Sequence, residues 1–133
     1  MNKTVSSALV AVSLLASSVA AFAHHGTAGT YDQKSVFRVS GVVKTFLWRN
    51  PHCILVLTGK DAEGKQADFS FEIGGPAGLA RQGFSKNSFN VGDEVAFDMH
   101  PSFNNPHVGQ PANRKFVING KEMARGLDGG EEL

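Results

Sequence analysis

Five histidines hold most of the chemistry this sequence could perform: His24, His25, His52, His100 and His107. Two are adjacent. Two others close copies of one tripeptide, Asn50-Pro51-His52 and Asn105-Pro106-His107, and His100 directly precedes Pro101. Imidazole is the commonest side-chain metal ligand. Nitrogen donors favour Cu(II), then Ni(II) and Zn(II). If the chain is cut after Ala23, His24 carries a free α-amine, and the amine and imidazole of one residue can chelate a single ion with His25 beside them. The expected ligands are His24, His25, His52 and His107, with His100 as a further candidate and Cu(II) as the first expected ion. No H-x-x-x-H or C-x-x-C spacing sets their geometry, so the fold must bring them together.

A second chemistry competes for the same loop. Trp48 and Asn50 flank His52, and an aromatic ring beside an amide suits a glycan, a small ligand or a protein partner without any metal. Trp48 could equally pack against the end of the domain. The sequence gives little for an enzyme. It has no G-x-S-x-G nucleophile elbow. Its single cysteine, Cys53, lies in an apolar run, where a buried, inert thiol is the simplest expectation and a metal-ligating or intermolecular thiol the alternative. Met99 reads as core rather than as a thioether ligand.

The elements that must position these residues begin after residue 23. Lys3 is followed by an uncharged Ala/Val/Leu/Ser run and then by Ala21-Phe22-Ala23, the order of a secretory signal peptide. The apolar run is short for a membrane span, which needs about 20 apolar residues. The expected product is periplasmic or secreted, with no span in the mature protein. Removing 23 of the 133 residues leaves 110, enough for one domain. Lys3 leaves with the signal, so the 13 Lys+Arg fall to match the 12 Asp+Glu, and no basic excess points to nucleic acid. A lone cysteine makes no internal disulfide, and folding must rest on burial.

Residues 24–35 lack periodicity and read as an extended arm. Residues 36–120 read as a β domain, and 121–133 as a polar tail. Phe37, Val39, Val43 and Leu47 share one parity of a long first strand, with Gly41 at a bend. His52–Thr58 is a second, mostly apolar strand. Gln66–Ile73 alternates cleanly. Pro76–Gln82 reads as a short helix with proline in its first turn. Val95, Phe97 and Met99 mark a fourth strand. Pro101–Ala112, with three prolines, reads as a loop, and Asn113–Asn119 as the fifth strand. Three strands, a helix and two strands is the order of a five-stranded OB-like barrel, which is all-β apart from that helix. An open sandwich of the same strands is the alternative. In the barrel, the loops after strands one and four flank one face, and both Asn-Pro-His copies lie on those loops.

His24-His25-Gly26, Phe46-Leu47-Trp48-Arg49-Asn50-Pro51-His52, Gly75-Pro76-Ala77-Gly78-Leu79-Ala80-Arg81-Gln82-Gly83-Phe84 and Val91-Gly92-Asp93-Glu94-Val95 together resemble an uncharacterised family of small exported bacterial proteins. The likeness runs over about residues 24–100. It implies export and a compact β domain but brings no activity with it. His24, His25, Trp48, Asn50, Pro51 and His52 match its motifs. Cys53, His100 and the copy ending at His107 depart from them. The resulting expectation is an exported binding module rather than an enzyme. Its partner would be a metal ion or small ligand, or another exported protein.

Overall fold

Alternation decides which face of each strand is buried. A computed structural model describes residues 29–123. In β3 (Gln66–Gly74), Phe69, Phe71 and Ile73 are buried while Asp68, Ser70 and Glu72 face outward. In β4 (Glu94–Pro101), Val95, Phe97 and Met99 point inward. β2 (Cys53–Lys60) buries Cys53, Leu55 and Leu57 completely and leaves Ile54 and Val56 half-buried, so its outer face is partly apolar.

β1 (Phe37–Leu47) begins with the expected parity, Val39 and Val43 being buried. Its register against β2 then shifts between Val43 and Thr45. An extra residue in one strand turns the following side chains over. Phe46 therefore packs against the core, and Leu47, expected inside, is 39% exposed. Phe37, on the inward parity, lies at an open end and is 56% exposed.

The strands form one sheet in the order β1-β2-β3-β5-β4, and an additional β1–β4 pairing closes it into a barrel. That closure excludes the open sandwich. The helix α1 (Pro76–Arg81) lies between β3 and β4. The fifth barrel strand is not where the sequence places it. β5 is Val108–Pro111, inside the stretch expected to be a loop, and it pairs parallel with β3 and antiparallel with β4. In Asn113–Asn119 only Val117–Ile118 is a strand, β6. β6 pairs with β4 and with β7 (Lys121–Glu122), so the start of the presumed tail belongs to the sheet.

One end of the barrel is plugged by aromatic rings. Phe116 sits 4.9 Å from Phe97 and 5.2 Å from Phe89, and Phe89 sits 5.0 Å from Phe46. Leu79 of α1 and Phe84 complete this plug. The other end is an open depression of about 1150 Å³, lined by Phe37, Val39, Phe69, Met99, Pro106 and His107 among others.

Candidate functional site

The pairing of β2 with β3 builds the polar cluster that contains a predicted site residue. Even-numbered positions of both strands face outward. Ile54 pairs with Glu72, which sets Glu72 diagonally across from His52. His52 Nδ1 contacts Glu72 Oε1. A carboxylate only accepts hydrogen bonds, so Nδ1 carries a proton, and in the neutral ring the lone pair is left on Nε2. Their side chains are 46% and 31% exposed. At that exposure the pair is worth roughly 0.2–1 kcal/mol of stability. Its larger effect is on the orientation and tautomer of the ring.

The third member of the cluster comes from the arm. Tyr31 is 5% exposed and bridges to Ser102. The Asp32 N–H donates to Pro101 O (2.8 Å), and the Phe103 N–H donates to Thr30 O (3.1 Å). The arm is thereby strapped to the end of β4. The Tyr31 hydroxyl donates to Glu72 Oε2 at 3.5 Å. Burial first, and the Glu72 carboxylate second, hold the phenol above its ordinary range, so it stays a donor. Glu72 thus joins the arm to the His52 loop.

The other candidates lie elsewhere. The His107 ring meets Phe69 edge-on at 4.9 Å, at the open end of the barrel, and its carbonyl accepts from the Ser70 N–H. Phe69 and Glu72 are on opposite faces of β3, three residues apart, or roughly 10 Å along the strand. The sheet therefore does not bring His52 and His107 to one point. His100 Nδ1 meets Ser35 O at 2.9 Å, a second tie on the arm. Trp48 is half-buried, packed against the core with its ring 6.0 Å from Phe46. Asn50 is exposed and forms a cis peptide with Pro51. Cys53 is fully buried, its sulfur 3.9 Å from Arg49 O. Met99 is core. His24, His25 and the expected signal peptide fall outside the described residues. Among the described residues no group of three or more His, Cys, Asp or Glu side chains could hold a metal ion.

Tyr31, Glu72 and Arg114 are absent from the sequence expectations. Tyr31 sits in a stretch without periodicity, and Glu72 reads as one more solvent-facing strand residue. Hairpin arithmetic would have found the latter: with a turn at residues 61–65, Lys60 opposes Gln66 and Ile54 opposes Glu72. Arg114 is half-buried and donates from Nη1 to Ile73 O. Burial lowers its pKa from the ordinary value, though a guanidinium remains charged.

The fold and cluster define a small closed β-barrel of OB-like topology with a carboxylate-oriented histidine on its outer face. The chain belongs to a family of unknown function (DUF6152), which matches residues 11–110. No curated protein and no solved structure matches it.

Proposed function

We propose that this protein is an exported transition-metal-binding module, with Cu(II) as its first ion. The observation that carries the reading is the Tyr31–Glu72–His52 chain. A ligating histidine commonly donates its other ring N–H to a carboxylate, which fixes the tautomer and raises the basicity of the ligating nitrogen. Glu72 stands in that relation to His52, and Tyr31 in turn steadies Glu72. The described residues supply one ligand, His52 Nε2. His24, with its α-amine and imidazole, and His25 would supply the others. His24 is seven residues before Tyr31, a reach of at most about 25 Å from a residue that already touches the carboxylate holding His52. His107 and His100 are not needed for this set. A bound ion would add a binding site for a soft or borderline partner. The protein's own part is to hold the imidazole in one orientation and to deliver the arm to it.

The test is Cu(II) titration of metal-stripped protein beginning at His24, followed by EPR and calorimetry. A control carries one extra residue before His24, and a second variant is Glu72→Gln. The expected result is nitrogen hyperfine structure that is lost or altered in the control. Affinity should fall roughly 10–100-fold in Glu72→Gln, the usual cost of losing a partner behind a ligating histidine. Equal, weak binding in all three proteins would end the reading. The observation favouring a metal-free module instead is the open depression beside Phe37 and His107, whose volume suits a small apolar ligand.

A further inference from the structure

The barrel treats its two ends unequally. Inside it, ring packs on ring: Phe71 meets Phe97 at 4.8 Å and 80°, and Phe97 meets Phe116 of the plug at 4.9 Å. At the opposite end the series stops short. The floor of the open depression there is Val39, Phe69 and Met99, which keep 9%, 8% and 7% of their surface exposed. Phe37 pairs across the strands with Met99 and shares its inward parity, yet 56% of it is exposed. The alternation that fills the interior thus places one more aromatic residue beside a space of about 1150 Å³ that the described residues leave open. The His107 ring, 4.9 Å from Phe69 at 62°, forms another part of the wall.

The chemistry of the lining selects an occupant. The floor carries no polar side chain, and among the described residues no buried side-chain N or O lacks a partner. A charge pressed onto this floor would lose hydration and gain nothing in return. The rim does not favour an anion. Arg38 is paired with Asp98 at 3.1 Å, which leaves Lys60 facing Asp61, Glu63 and Glu94. These are surface groups in water and would hold a charged ligand only weakly. A ring has more to gain here than an acyl chain. Aromatic pairs are worth more than the area they bury, and a thioether such as that of Met99 adds a favourable contact with a ring edge. The volume exceeds what a single ring fills and suits a molecule of two or more rings.

We propose that the open end of the barrel binds an uncharged compound of two or more rings, held against Phe37 and over the Phe69–Met99 floor. This gives a chemical class to the small apolar ligand of the metal-free reading. It does not depend on copper, because His52 and Glu72 lie on the outer face of the sheet and take no part.

The test is a methyl NMR titration of the metal-stripped full chain in EDTA, labelled at the methionine methyls. 2-Naphthol is compared with 2-naphthoate, which adds a charge to the same rings, and with octanoate, which replaces the rings by a chain. 2-Naphthol should move the Met99 methyl upfield and saturably through its ring current. Met123, whose N–H donates to Phe116 O (2.8 Å) in the plug, should stay in place. Naphthoate and octanoate should each bind at least fivefold more weakly. Phe37→Ala should weaken 2-naphthol at least fivefold. Phe103→Ala should not, since Phe103 is 60% exposed but lies outside the depression. A Met99 methyl that does not saturate, or that moves no more than Met123, would overturn the proposal. So would octanoate or naphthoate binding as tightly as 2-naphthol, or equal losses in Phe37→Ala and Phe103→Ala. If Phe37→Ala does not fold, the Met99 shift read against Met123 in the unmodified chain decides alone.

Discussion

β1 changes partners within a single residue, pairing with β4 up to Val42 and with β2 from Val42 onward. Two glycines face each other across this crossing. A Cβ on Gly41 would stand 2.7 Å from Thr58 O and 3.1 Å from its carbonyl carbon, and a Cβ on Gly59 would stand 2.7 Å from Ser40 O. Ordinary contact begins near 3.4 Å, so either alanine must push a backbone carbonyl back by about 0.7 Å. These carbonyls belong to the strands that close the barrel and cannot swing away as a flexible side chain could. Overpacking of this kind costs about 1–3 kcal/mol. Reduced freedom of the unfolded chain returns roughly 0.4–1 kcal/mol. The net expectation for Gly41→Ala or Gly59→Ala is a loss of about 1–2 kcal/mol, a fall in Tm of roughly 5–15 °C for a domain this size. Gly78→Ala in α1 is the matched control, because a Cβ there meets nothing within 4 Å. It should gain about 0.5–1 kcal/mol from helix propensity. The double variant at 41 and 59 should lose less than the sum of the two, since one displacement at the crossing relieves both contacts. Urea unfolding followed by circular dichroism reads all four proteins, with midpoints compared at constant slope. A folded Gly41→Ala protein as stable as the parent, or more so, would refute the close crossing and with it the tight closure of β1.

Phe116 is fully buried among Phe84, Phe89 and Phe97, so Phe116→Ala should cost about 3–5 kcal/mol in the same unfolding assay. The bulge in β1 predicts unequal tolerance at adjacent positions: Leu47→Lys should change stability by less than about 0.5 kcal/mol, whereas Phe46→Lys should cost roughly 2 kcal/mol or more. Equal effects at the two positions would remove the bulge. Three carboxyls are held below the usual range: Asp32 by the Ser35 hydroxyl, Asp68 by Lys44 and then Thr58, and Asp93 by the Asn119 amide and then the Asn90 N–H. A depressed folded-state pKa gives stability that is present above the unfolded value, near 3.9, and is lost as pH falls through the folded one. Urea midpoints should therefore be level above about pH 5 and decline below about pH 4. The decline should be shallower in Asp93→Asn.

Much of the barrel is legible in the chain because its inner face is written as alternation. Phe69, Phe71 and Ile73, and likewise Val95, Phe97 and Met99, need no tertiary information to be assigned inward. Leu47 misleads because a bulge inverts parity without leaving a mark in residue type: Lys44 is as ordinary in a regular strand as in a bulged one. β5 is hidden for another reason. Val108-Gly109-Gln110-Pro111 has no apolar alternation and earns its place through backbone pairing with two strands far away in sequence. The site shows the same division. His52 stands out by type, but Glu72 matters only through register, and Tyr31 only because the arm is strapped to β4. Arg114 gives no local signal, since its bond to Ile73 O joins residues far apart in sequence.

Closing β1 onto β4 also has a consequence for how the protein behaves in a crowd. An open sheet offers rows of unpaired N–H and C=O groups on which another chain can template itself. Here the barrel spends those edges on each other, and β6 and β7 add only two residues apiece. The described residues therefore present little backbone for strand addition, despite a chain with ten phenylalanines. Its exposure to aggregation is concentrated in the interval before Phe37–Val42 meets Glu94–Met99, when two apolar strands lie open at once.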